Sequence, residues 1–404
     1  MSREDLVKGR ALMSLRDEVE AVIRAWDAYE VEHGEAPVID FDCDPGGTAA
    51  PADRLTVLRR LTGLRPKASG VLAARIDADL AYLGALLGER RPLDEYIRET
   101  QGCGAGGWPE EYVAERAEQM RSALGELGIR WGAAANAELR EAEGLLDVSD
   151  APDAIREAVS ELEPVVREAT GSTAPYRLTI ETAEVDAYWA FWLDGAGQDV
   201  RLQLNLRNVE FTQAGARQFA LHEVLGHGLQ CAGYTAVAAA EEVPWVRLLS
   251  IHAPHQVMQE GLAQAWPLFL LPEDKVLIAR LRVAHYCQLV LAQVHVSINH
   301  GASAVECADY LKAAVPWWTE ETIARYLADR GLNQQHRTYM WAYPAGFDWF
   351  MALAEADDAE LSRRVLRATY QAPLTPSDLA ELWPSGPPVG GPGGPVRLPK
   401  APVL

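Results

Sequence analysis

The chain has 404 residues, 49% of them apolar and 24% charged, with a formal net charge of -21 and a pI near 4.9. That length exceeds what one hydrophobic core usually organises, so two lobes or two domains are expected. A surface so acidic repels phosphate backbones and anionic lipid head groups, so neither nucleic acid nor membrane is expected as the main partner.

From Leu6 to about Glu32 apolar residues recur at helical spacing: Leu12, Leu15, Val19, Val22, Ile23 and Trp26. Acidic residues begin almost at once and no apolar core segment follows, so no secretory signal is read there. Residues 40–53, rich in Gly and Pro, read as a loop. Helical patterns follow at about 54–63, 70–88, 92–100, 109–143 and 151–169, so residues 1–170 are expected to form an all-helical lobe. The five cysteines are an odd number with no close pair, which predicts free thiols and a reducing, cytoplasmic setting.

The period changes near residue 174. Tyr176, Leu178 and Ile180 alternate with polar residues, and the runs on either side of Asp194-Gly195-Ala196-Gly197 read as a hairpin. Val200, Leu202 and Leu204 are placed on one face, with Arg201, Gln203 and Asn205 on the other. After Thr212, a plausible N-cap, helical texture resumes at about 212–231, 255–270, 274–299, 303–313, 319–330, 333–354, 357–370 and 376–383. The expected fold is mostly α (α+β). An N-terminal helical lobe packs on a helical lobe at 171–384 that carries a small antiparallel sheet, with an active-site cleft between them. Residues 385–404, rich in Pro and Gly, are read as a flexible tail or an arm on the surface. No stretch of about 18 uninterrupted apolar residues is present to cross a bilayer.

The chemistry centres on His222-Glu223-Val224-Leu225-Gly226-His227, inside an apolar helical run. Two imidazoles supply borderline-soft ligands for zinc, and a carboxylate beside the first is placed to take a proton from water. The histidines are five residues apart, which on a regular helix puts them ~140° apart, too divergent for one ion. The helix is therefore expected to widen as a π-bulge, with Gly226 suited to the distortion. Glu260, on a second helical stretch, is the candidate third ligand, and Gln264 one turn later is a candidate to orient a ligand imidazole. Gly261 is expected to let these two helices approach closely.

The order of hairpin, HExxxH helix and glutamate on a second helix resembles the gluzincin class of zinc metallopeptidases. HEVLGHG is similar to the HELLGH signature of the dipeptidyl peptidase III family, which implies ligand roles for His222 and His227 and the base role for Glu223. That family's E-E-C-R-A-[DE] third-ligand segment is absent. Glu260-Gly261-Leu262-Ala263 instead resembles the E-G-x-A helix of certain bacterial gluzincin-like proteins, as do Gly226 to Gln230 and the late Tyr343-Pro344-Ala345-Gly346. The resemblance covers about 175–355.

Tyr343 is the candidate oxyanion donor, within a cluster that also holds Tyr339; His336, Arg337, Gln203 and Asn205 are candidate substrate contacts. The strand Asp199 to Asn205 is expected to border the cleft and pair with an extended peptide. His252 and His255, just ahead of Glu260, are read as loop residues, with a ligand role in place of Glu260 as the other reading; His285, His295 and His300 are read as packing or surface residues, and Trp189, Trp192, Trp317 and Trp318 as core. The expected activity is zinc-dependent hydrolysis of short peptides or peptide-like metabolites. The other reading is an Fe2+ centre with two histidines and one carboxylate, serving an oxygenase or another biosynthetic enzyme.

Overall fold

The structure is a computed structural model describing residues 13–186 and 190–399; the start of the first expected helix and Trp189 lie outside the described residues. The first helix, α1 (Leu15–Glu32), is capped by Ser14, which accepts from the Asp17 N–H. Its apolar stripe, Val19, Val22, Ile23 and Trp26, packs with Val57 and Leu61 of α2 (Arg54–Leu64) and Ile76 and Leu83 of α3 (Gly70–Leu86). Then come α4 (Leu93–Gln101), α5 (Glu110–Glu126), α6 (Ala135–Ala142) and α7 (Ala151–Thr170). The helix expected over 109–143 breaks in two because Gly128 adopts φ 78°, the left-handed conformation that stops a helix.

The sheet has five strands in the order β2-β4-β3-β1-β5: β1 Phe41–Asp42, β2 Arg177–Ala183, β3 Phe191–Ala196, β4 Asp199–Asn205 and β5 Leu248–Leu249. The expected hairpin is β3–β4, antiparallel, with Gly197 at φ 64° in its turn. The sheet is mixed rather than antiparallel, because β2 runs parallel to β4 along its whole length and β1 parallel to β3. This also places β4 inside the sheet, so it is not the free edge expected of it. The exposed edge nearest the site belongs to β3: β1 pairs only with Gly195 and Ala196, leaving 191–194 without a strand partner on that side among the described residues.

Val200, Leu202 and Leu204 point inward, as their alternation predicts. They meet α7 and the helical run α8 (Gln213–Phe219), a π-helix (Ala220–Gly228) and α9 (Leu229–Ala240) in the largest core. The remaining helices are α10 (Gln256–Leu270), α11 (Lys275–Asn299), α12 (Ala304–Ala314), α13 (Glu320–Gly331), α14 (Gln334–Glu355), α15 (Ala359–Ala368) and α16 (Pro376–Leu382). The cores cross residue 170 instead of dividing there. The largest joins Phe41 and α7 to the π-helix, α9, α10 and α14, a second joins α5 and α6 to α11–α13, and a third joins α4 to α10, α11 and α14.

The C-terminal segment as far as residue 399 is an arm laid on the surface. Gly393 and Gly394 donate to Gly107 and Gly106, Gly390 accepts from Gly107, and Gln293 of α11 donates to the Pro395 carbonyl at 2.8 Å. Among the described residues no helix is long and apolar enough to cross a membrane.

Candidate metal centre

Thr212 starts the helical run by accepting the Gly215 N–H at 2.9 Å, and regular helix continues to Phe219. Over Ala220–Gly228 the helix is π, and the next N–H, of Leu229, bonds to Val224, five residues back. The wider turn carries the extra residue in the His222–His227 spacing. It brings the two Nε2 atoms to 3.2 Å with the rings nearly perpendicular, at 87°. Gly226 permits this: a Cβ there would lie 2.7 Å from the Leu221 carbonyl oxygen and 3.1 Å from Ala263 Cβ on α10.

Helix α10 delivers Glu260, whose Oε2 lies 3.3 Å from His222 Nε2 and 3.7 Å from His227 Nε2. Ligand atoms ~2.0–2.1 Å from a tetrahedral zinc are about 3.3 Å apart, so this triangle has the size that an ion would set. Glu260 Oε2 is buried and has no hydrogen-bond partner, whereas Oε1 accepts the Tyr339 hydroxyl at 2.5 Å. An unpartnered buried carboxylate oxygen facing two imidazoles fits a cation, and two nitrogens with one oxygen suit zinc. Glu223 Oε1 stands 3.7 Å from His222 Nε2.

Burial raises the pKa of Glu260, but the adjacent His227 and His222 overcome it and hold the carboxyl far below its usual range. Glu223 is pushed up, because its burial outweighs the attraction of the same imidazoles. Tyr339 and Tyr343 are pushed well above the usual phenol range by burial and by Glu260, so both remain O–H donors at neutral pH.

Two cavities meet at this point. One, of ≈ 300 Å³, is lined by Asp40, Trp192, Gln256, Gln259, His336 and Tyr339, among others; the second, of ≈ 610 Å³, by Phe211, Gln218, Gln264 and Arg280, among others. Phe191, His222, Glu223 and Tyr343 line both.

His222, His227, Glu260 and Glu223 converge as their spacing implies, and Tyr343 joins them, its hydroxyl 3.0 Å from that of Tyr339. His336 lines the first cavity, with Nδ1 2.8 Å from Asp329 Oδ1. Other expectations need correction. Arg337 turns away from the cavities: it donates to Asn299 and to the Arg91 carbonyl, and its guanidinium lies over the Tyr96 ring. Asn205 is buried, its side chain bonded to the Val185 backbone, and Gln203 sits on β4 opposite Trp192, one strand beyond the cavity wall. Gln264 contacts Gln218 at 3.5 Å rather than a ligand imidazole. Gly261 abuts Gly346 of α14, so the close approach it allows is to that helix and not to the metal helix.

Trp192, expected in the core, lines the first cavity, while Trp317 and Trp318 pack in the α11–α13 core. His252 and His255 precede α10 and line neither cavity; His252 bonds to Asp79 at 2.8 Å. His285 packs against Asp348, and His295 is fully buried. The sequence reading missed Asp40, Gln259 and Arg280, which no local motif marks. Tyr339 was recoverable: it lies one turn before Tyr343, on the same helix face.

No family model matches this sequence, and no curated protein matches it. Among solved structures it is similar to "the putative lipoprotein from Colwellia psychrerythraea", with a TM-score of 0.55 at 16% identity. The likeness covers 82% of this chain and 63% of that one, so this chain spans less than two thirds of its neighbour's length. At that identity the likeness concerns the fold alone.

Proposed function

We propose that this chain is a zinc-dependent hydrolase acting on amide bonds of short peptides or peptide-like molecules. The observation that carries the reading is the triangle of His222 Nε2, His227 Nε2 and the orphaned Glu260 Oε2, with sides of 3.2, 3.3 and 3.7 Å, beside a carboxylate that is not part of it. These three residues would hold the ion. When bound, zinc supplies a Lewis acid that acidifies water and polarises a carbonyl.

Glu223 is the general base: it takes the proton of the attacking water as the oxygen–carbon bond forms. It returns that proton to the leaving nitrogen as the carbon–nitrogen bond breaks. Its raised pKa suits a group that must both accept and donate. Tyr343, kept protonated, donates a hydrogen bond to the carbonyl oxygen as negative charge develops there. The unpaired edge of β3 at 191–194 offers backbone donors and acceptors to an extended substrate.

An iron oxygenase built on the same three ligands has no use for Glu223, which favours the hydrolase. Metal analysis after anaerobic purification tests this. The expected result is about one zinc per chain, lost in His222→Ala and Glu260→Ala and kept in Glu223→Gln, with peptide hydrolysis abolished in all three. Bound iron, or full turnover in Glu223→Gln, refutes it.

A further inference from the structure

The two cavities that meet at the metal centre differ in the cations they offer. Among the described residues the first is lined by the carboxyls of Asp40, Glu223 and Glu260 and by no Lys or Arg. Asp40 is fixed at the entry to β1, where its N–H donates to the Leu249 carbonyl at 2.9 Å and its carboxyl is hydrogen-bonded by the Ile251 backbone. Its Oδ2 has no hydrogen-bond partner among the described residues. Arg75, the cation that acts on it, is already committed to Asp79, the Leu248 carbonyl and Ser250 Oγ. Burial therefore dominates and pushes the Asp40 carboxyl up to about 8. A carboxyl placed in this way lacks a cationic donor that the protein itself does not supply.

The second cavity holds two guanidiniums: Arg140, paired with Glu210, and Arg280. Arg280 NH1 donates to both oxygens of Glu143 at 2.9 and 2.8 Å, and Nε donates to Gln218 at 2.5 Å. Glu143 is 1% exposed and is itself held by the Thr212 hydroxyl, so the guanidinium is rigidly set. Its NH2 has no hydrogen-bond partner among the described residues, and the side chain keeps 38% exposure. Gln218 stands one helical turn before His222, which puts Arg280 close to the reacting centre along the cleft. A fixed guanidinium with a free N–H edge is suited to a carboxylate.

We propose that the cleft selects short peptides with both termini free, the ammonium end received by Asp40 and the terminal carboxylate by Arg280. This rests on the hydrolase reading above and narrows its substrate class. The direction agrees with the strand beside it. Ala190 lines the second cavity, Phe191 both, and Trp192 and Leu193 the first, so β3 runs from the Arg280 cavity towards Asp40. A peptide with its amino end at Asp40 then runs antiparallel to the free edge of β3, the more stable pairing.

Both residues also tie elements together: Arg280 joins α11 to Glu143 and Gln218, and Asp40 joins the start of β1 to the chain after β5. A purely structural role would change affinity for all ligands alike, so the readout is discrimination between ligands. Glu223→Gln protein, as purified, is titrated calorimetrically with trialanine, N-acetyl-trialanine and trialanine amide. Each block is expected to weaken binding at least fivefold. Adding Arg280→Gln removes the penalty for the amide and leaves that for acetylation; adding Asp40→Asn does the reverse. A smaller penalty for either block overturns the proposal, as does a variant that keeps its own discrimination or loses both, or trialanine that does not bind at 10 mM. Zinc content and wild-type amide turnover are measured separately. Zinc and turnover without end discrimination sink only this proposal, and end discrimination without zinc sinks only the hydrolase.

Discussion

Gly261→Ala tests whether the contact between α10 and α14 sets the metal centre. A Cβ on Gly261 would lie 2.3 Å from the Gly346 carbonyl carbon and 2.5 Å from its Cα. Carbon atoms pack at ~3.5–4.0 Å, so the helices must separate by more than about 1 Å, and backbone cannot swing aside as a long side chain would. Glu260 is the neighbouring residue on α10, and Tyr339 and Tyr343 lie on the Gly346 face of α14 at helical spacing. Separation therefore pulls the Tyr339 hydroxyl off Glu260 and moves Oε2 relative to the imidazoles. Metal–ligand distances tolerate only about ±0.2 Å. The overpacking itself costs about 1–3 kcal/mol.

If zinc affinity falls about a hundredfold, the stabilisation conferred by a fixed excess of zinc shrinks by about 2.7 kcal/mol. The assay is competition against a chromophoric chelator, together with thermal melts with and without zinc. The expected variant melts lower without metal and gains much less from zinc than the wild type. A variant with wild-type zinc affinity and an unchanged melt refutes the idea that this crossing positions Glu260.

Tyr339→Phe removes the donor to Glu260 Oε1 and is expected to weaken zinc binding about 10–100-fold in the chelator assay; unchanged affinity would show that the hydrogen bond does not support the ligand. Tyr343→Phe should instead keep its zinc and lower amide turnover by about 10²–10³ in kcat; wild-type kcat would remove Tyr343 from the oxyanion role. Asp348 accepts from Trp108 and Tyr112 and bonds to His285; burial raises its pKa, but these partners prevail and leave the carboxyl below its usual range. Such a group stabilises the fold above its unfolded pKa of about 3.9, and the stabilisation is lost as pH falls through the lower folded value. Asp348→Asn should therefore melt below the wild type at neutral pH, by about 3–5 kcal/mol in stability, and converge with it in acid; a deficit that persists below the folded pKa would deny that the charge matters.

Much of the helical inventory was legible because helix formation is local. Apolar spacing and caps such as Ser14, Asp53 and Thr212 lie within a few residues of the elements they define. The π-helix was legible in more detail: two histidines five residues apart that are to face one point require a wider turn, and Gly226 is the residue that tolerates it. Glu260, whose carboxylate the structure brings beside both imidazoles, could be picked out because it too sits at a helical position beside small residues.

What lay beyond reach depended on pairing between distant segments. Nothing within Phe41–Asp42 announces a strand, since two residues carry no period and become β1 only through β3 and β5. The parallel β2 places β4 inside the sheet and leaves the free edge to β3, a pairing that neither strand of the hairpin encodes in its own residues. On α14, Tyr339 meets Glu260 while Arg337, two residues earlier, points to Asn299 and Tyr96, because helix rotation is set by the Gly261–Gly346 contact with α10. Local sequence determined which helices form and how the two histidines come together; the tertiary structure alone decided which side chains face the cleft, because that follows from how elements far apart in the chain pack against one another.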